Sequence, residues 1–197
     1  TTHDVCQFAQ RISQRELRGE EAAVSAVEYL DRSTIDMIES RKPMMTKIKE
    51  IPDVNPQYEG MVYLEIQGQE DGVEALAEEL MEDAMECGSD PDVAWALSGE
   101  NEVEKMHAYR HAAAEISNLR IEELRREDPV ITKLATDMEF PHGELEELLT
   151  LYRKGLEETG LEGCIFGHLP KCHLHINLFP KNGAEYETGV QLLRTWG

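Results

Sequence analysis

Positive charge is scarce in this chain: 19 Lys and Arg stand against 40 Asp and Glu, a formal net charge of −21. A phosphate-binding surface needs clustered Lys and Arg, so nucleic acid is excluded as a partner. The excess acid is expected on solvated helix faces. Long apolar runs are also missing. None approaches the roughly 20 residues needed to span a bilayer, and no signal-peptide pattern opens the chain. The cysteines, Cys6, Cys87, Cys164 and Cys172, form no CxxC pair. Their number and spacing exclude a disulfide scaffold and predict reduced thiols in a cytoplasmic setting.

What is present is ordinary for a soluble domain: 197 residues, 41% hydrophobic and 30% charged. That length fills one core, or at most two small ones. The opening "TTHD" supplies N-cap candidates before an apolar-periodic helix. A start at a helix without Met reads as a cut made inside a longer protein. From there, short strands alternate with longer helices. "SAVEYLD" (25–31) predicts a strand, followed by a helix opening at Ser33 or Thr34. "GMVYLEIQG" (60–68) is the clearest strand and leads into a helix capped by Asp71 and stopped by Gly88. "DVAWALS" (92–98) is strand-like, and a long amphipathic helix follows from about Glu100 to Arg125.

"KLATDMEFP" (133–141) is again strand-like, and Pro141, His142 and Gly143 precede the helix "ELEELLTLYRKGLEETG". "GCIFGH" (163–168) and "HLHINLF" (173–179) predict two strands joined through Leu169 to Cys172, before a last helix over about Gly183 to Trp196. The pattern predicts one α+β domain over residues 1–197. Its expected form is a ferredoxin-like two-layer sandwich, a mainly antiparallel sheet with helices on one face.

Alternation sorts each strand into two sets of side chains. Val62, Leu64 and Ile66, then Leu134, Thr136, Met138 and Phe140, then Leu174, Ile176 and Leu178 should face the helices. The opposite set is polar: Tyr63, Glu65, Gln67, Asp137, Glu139, His173, His175 and Asn177. Such a face is either a solvated sheet surface or one that closes over a site supplied by another domain. His173 and His175 project to the same side, with Asn177 next along, and His168 reaches that face across the hairpin. These rings could bind a divalent metal, stand beside a substrate carboxylate, or do neither. In "HAYRH", His107 and His111 share a helix face, a second and weaker metal pattern. Arg110 has Met106, His107, Ala113 and Ala114 at helical spacings and no acid among them. That favours it as an anion clamp, since guanidinium pairs bidentately with carboxylate.

"FGHLPKCHLHINLFP" (166–180) resembles the "GHxGDGNLHxN" signature of the C-terminal domain of FAD-linked oxidases in the vanillyl-alcohol oxidase superfamily. That family includes D-lactate dehydrogenases, the flavin subunit of glycolate oxidase and D-2-hydroxyglutarate dehydrogenase. "SAVEYLDRSTIDMIE" is similar to the family's opening strand and helix, and "TDMEFP" resembles its "xDVxxP" strand. "EYETGVQLLRTWG" resembles the helix that leads into a "SGEHGIG" segment. Two departures stand out. "PKCH" (Pro170, Lys171, Cys172, His173) replaces "GDGN", and the sequence ends at Gly197, before that glutamate and histidine. There is no glycine-rich phosphate-binding half for FAD either.

The resemblance implies a cap, or substrate-binding, domain of an FAD-dependent D-2-hydroxy-acid dehydrogenase or oxidase of D-lactate or glycolate type, inactive alone. It implies His168 and His175 as ligands of a divalent metal such as zinc, with His175 also in the catalytic role. Arg110, Asn177 and Lys133 are implied as substrate-binding residues, and no residue here as a cofactor ligand. FAD is then bound mainly by another domain of the same parent chain. A small 2-hydroxy acid, that FAD-binding domain, an electron-acceptor subunit and a second copy of the chain are the implied partners. The location is cytoplasmic or peripheral at the inner membrane. The alternative, from another class, is a non-catalytic ferredoxin-like binding or dimerisation module.

Overall fold

The computed structural model describes residues 1–15, 19, 21–141 and 143–196. His142, placed above before a helix, lies outside them. Helix α1 (Thr2–Gln14) opens on a capping box in which Thr1 and Asp4 satisfy each other's backbone groups. Strand β1 (Ala22–Asp31) runs straight into α2 (Arg32–Arg41), and the cap is Asp31 rather than Ser33 or Thr34. Its Oδ1 accepts from the Thr34 amide at 2.8 Å and from the Thr34 hydroxyl at 2.6 Å. Strand β2 (Gly60–Gly68) leads into α3 (Glu70–Glu86), which has no side-chain cap; Asp71 lies inside its first turn.

"DVAWALS" forms no strand. A short 3-10 turn over Pro91–Val93 gives way to irregular chain that feeds α4 (Glu100–Glu127). The "KLATDMEFP" segment pairs only as two short pieces, β3 (Leu134–Ala135) and β4 (Met138–Glu139). Helix α5 (Leu145–Thr159), β5 (Gly163–His168), β6 (His173–Leu178) and α6 (Gly183–Trp196) complete the order. The sheet runs β2-β1-β5-β6-β3, with β4 also on β6, and its pairings are antiparallel. The chain therefore forms the expected α+β sandwich on an open antiparallel sheet. Among the described residues no helix is long and apolar enough to cross a membrane.

The apolar strand sets pack where alternation predicts. Ile165, Leu174, Ile176 and Leu178 join Phe8 and Ile12 of α1, Leu80 of α3, Leu149 and Tyr152 of α5 and Trp196 of α6. Each large side chain fully buried there contributes about 2–3 kcal/mol. The opposite face is divided. At one end Leu30 and Phe166 carry Ile35 and Ile38 of α2 and Tyr109, Ala112 and Ile116 of α4. Cys164 continues that contact with Ile121 and Leu124. The other end stays polar, and α4 reaches it with its N-terminal half.

Asp83 joins α3 to α1, accepting from Arg11 and Arg15. The Arg15 guanidinium first, then Arg11, holds its carboxyl below the ordinary 3.8 despite burial. The unfolded chain thus binds this proton more tightly than the folded one. The stabilisation is full above pH 3.8 and is lost as pH falls through the folded value. Asp83→Asn is expected to cost about 1 kcal/mol at neutral pH. In urea unfolding, its deficit against the wild type should shrink as pH falls below 3.8.

Candidate functional site

Antiparallel register aligns one residue from each strand into a cross-strand row. At the polar end that row is Tyr63 on β2, Glu28 on β1, His168 on β5, His173 on β6 and Glu139 on β4. The next row along is Met61, Leu30, Phe166 and His175, where the surface turns from apolar to imidazole. One step along each strand therefore separates core from site.

Glu28 is the hub. It is only 5% exposed, and its Oε1 meets Arg110 Nη2 at 2.5 Å and His168 Nδ1 at 2.7 Å. An ionised carboxylate can only accept, so His168 Nδ1 is the donor in this pair and Nε2 takes no part in it. Arg110 spends one of its donors on Glu28 and keeps the rest of its fork for another anion. Beside this pair, Glu65 accepts from His107 Nε2 at 3.0 Å and from the Tyr63 hydroxyl at 3.2 Å. Burial opposes ionisation of Glu65, but hydrogen bonds from Gln67 and His107 outweigh it and hold the carboxyl below its ordinary value. Burial, and then the Glu65 charge, push Tyr63 up to about 12. His111, the other histidine of "HAYRH", is exposed.

Across the sheet, His173 Nε2 donates to Asp137 Oδ1 at 2.8 Å. His175 Nδ1 lies 3.4 Å from both that oxygen and the Thr136 carbonyl. Nitrogens of His168, His173 and His175 all lie within 4.8 Å of one another. The hydrogen bond from His173, and then the His175 charge, lower the Asp137 carboxyl. Burial lowers His175, against the pull of the Thr136 carbonyl, and its neighbouring imidazoles add to the effect. A neutral imidazole is the form that ligates a cation. Each ring of the trio has one nitrogen held by an acceptor and one left over. That donor set fits a borderline divalent cation such as zinc, with Glu28 and Thr136 orienting the rings from behind.

His168, His175 and Arg110 are thus brought to one end of one face. Asn177 shares the face two residues beyond His175, but it is 2% exposed, and its amide oxygen has no hydrogen-bond partner. Lys133 stands just before β3 and donates to Asn118 of α4 at 3.1 Å. Two contributors escape a reading by resemblance, Glu28 and His173, while Asp137 falls on the aspartate of the "xDVxxP" strand without a role assigned to it. The available signals were an acid inside the apolar run "AVEYL" and an aspartate alternating into the polar set.

The replaced hairpin loop keeps a tight path. A 3-10 turn over Leu169–Lys171 ends at Cys172, whose φ of 45° is a left-handed conformation natural to glycine. Cys172 is buried, so its side chain packs into the main core while the backbone turns. No protein with a curated description matches the chain. The family model described as "FAD linked oxidases, C-terminal domain" matches residues 4–193. With that match spanning nearly the whole chain, the protein belongs to the family of C-terminal domains of FAD-linked oxidases.

Proposed function

We propose that this domain forms the substrate wall of an FAD-dependent D-2-hydroxy-acid dehydrogenase or oxidase, of the D-lactate or glycolate type. The family makes the parent an oxidoreductase, FAD its cofactor and an FAD-binding domain the partner of this one. Bound there, FAD would accept the hydride, which carries both electrons, from the substrate's carbon 2.

The observation that carries the reading is the pairing of Arg110 and His168 on buried Glu28, with His175 beside His168 in the imidazole cluster. Arg110 receives the substrate carboxylate on the donors Glu28 leaves free, which fixes the orientation of the adjacent C–H. His168 and His175 face the 2-hydroxyl, and with their remaining nitrogens on a divalent cation the hydroxyl's pKa would be lowered, so that its proton is released to solvent as the hydride leaves. A divalent cation held by the imidazoles supplies Lewis acidity toward that hydroxyl. Asn177, the other substrate-binding candidate on β6, follows two residues beyond His175, and Lys133 adds positive charge at the Asp137 side.

The test is dye reduction by the intact flavoenzyme against a panel of D-2-hydroxy acids. Arg110→Met is expected to raise KM about 10- to 100-fold, with a smaller change in kcat, because one charged hydrogen-bond pair is lost. This chain alone with added FAD is expected to give no turnover. Turnover by the chain alone, or an unchanged KM in Arg110→Met, would overturn the reading. A parent enzyme that oxidises no 2-hydroxy acid would leave the binding or dimerisation module standing instead.

A further inference from the structure

We infer that His173 is the third protein ligand of a divalent-cation site made by this chain's own residues, His168, His173 and His175, with Asp137 as its oxygen partner. This deepens the reading in which His168 and His175 hold a cation, and it rests on that reading.

The position of His173 is dictated by the hairpin. It pairs directly across from His168, and alternation puts it on the same face as His175, two residues along β6. Ring centroids are 5.8 Å apart for His168 and His173, 4.7 Å for His173 and His175, and 6.4 Å for His168 and His175. The three rings form a closed triangle, whereas a strand pair alone gives a line. Their side chains are 44%, 25% and 26% exposed respectively, so an ion can enter from solvent.

Each ring also has one nitrogen held by an oxygen acceptor. Glu28 holds His168, Thr136 holds His175 and Asp137 holds His173. An imidazole whose outer nitrogen donates to an oxygen presents a more basic inner nitrogen, as ligating histidines generally do. Two of the three orienting groups are carboxylates, and they offset part of the ion's double positive charge. Ligand nitrogens about 2.0–2.1 Å from zinc lie roughly 3.4 Å apart. Closing the shell from the observed spread of 4.8 Å therefore needs ring rotations of about an ångström. The exposed rims of these rings leave room for that movement. Three nitrogens with one carboxylate nearby select zinc, cobalt(II) or nickel(II) over magnesium or calcium, which prefer all-oxygen shells.

The test is titration of the metal-free 197-residue chain with cobalt(II), followed by its visible ligand-field absorption and by calorimetry. One equivalent is expected to bind with nitrogen-ligand absorption, and magnesium is expected not to compete. His173→Asn and His173→Gln should each lower affinity about 100-fold or more, and Asp137→Asn about 10-fold. Unchanged circular dichroism would show that the variants remain folded. If both His173 variants bind cobalt(II) like the wild type while His168→Asn does not, His173 is not a ligand. The reading with two histidines would then survive. If the wild-type chain binds no cobalt(II), the inference falls together with the metal part of that reading. Hydroxy-acid oxidation by the flavoenzyme is then judged separately on Arg110.

Discussion

Gly167→Ala is expected to destabilise the domain by about 4 kcal/mol, combining left-handed backbone strain with overpacking. Gly167 sits in β5 at a φ of 150°, between Phe166 and His168, where L side chains are rarely tolerated. An added Cβ would overlap the His173 carbonyl oxygen and stand 3.0 Å from Leu174 Cα. Both obstacles are backbone atoms of the paired strand, so no side-chain rotation relieves them. Relief requires β5 and β6 to separate, and that same pairing sets His168 opposite His173. Urea unfolding should show the midpoint falling steeply, and the cobalt(II) affinity should fall with it. Gly160→Ala is the control. It keeps a positive φ of 66° but meets no atom within 4 Å, so it should cost only about 1 kcal/mol. A Gly167→Ala variant as stable as the Gly160→Ala control would show that the hairpin is not held as tightly as its register implies.

Glu28→Ala carries the second large effect, on both stability and activity. Removing the carboxylate leaves Arg110 and His168 without their shared acceptor. Deleting one partner of a buried pair costs about 3–5 kcal/mol. Arg110 is 26% exposed and can recover some hydration, so about 2 kcal/mol is the expected loss. The functional loss should be greater in proportion. His168 loses the acceptor that selects its tautomer, and Arg110 loses the anchor that aims its fork. On the proposed function, hydroxy-acid oxidation by the flavoenzyme is expected to fall about 100-fold, the usual upper range for an orienting group behind a ligand. Glu28→Gln keeps one acceptor oxygen and the side-chain volume, and it should recover most of the stability but only part of the rate. Equal rates in Glu28→Ala and the wild type would remove Glu28 from the site.

Much of this was determined by the sequence alone, because period-two alternation is a local property of the chain. The strands "GMVYLEIQG" and "HLHINLF" sort their residues without reference to any partner, and their apolar sets do line the main core. The same rule places His173, His175 and Asn177 on one side. Where a local pattern needs a neighbour, it is insufficient. "DVAWALS" has strand-like composition but finds no strand to pair with and stays irregular. The amphipathic stripe of α4 says that the helix is buried on one side, not which face of the sheet receives it. Only tertiary packing laid α2 and α4 over the Leu30 and Phe166 end of the second face.

The site divides in the same way. Arg110 has no acid within its own helix, a local fact that left its partner undefined. That partner is Glu28, brought from another element by the packing of α4 on β1. His168 reaches the same carboxylate across 140 residues of chain. No pattern in the sequence encodes so distant a contact, because it depends on the order of strands in the sheet. His173 departs from the family's motif when read along the chain. The register of β5 against β6 turns that departure into the third corner of an imidazole triangle, since cross-strand pairing acts on position and not on motif.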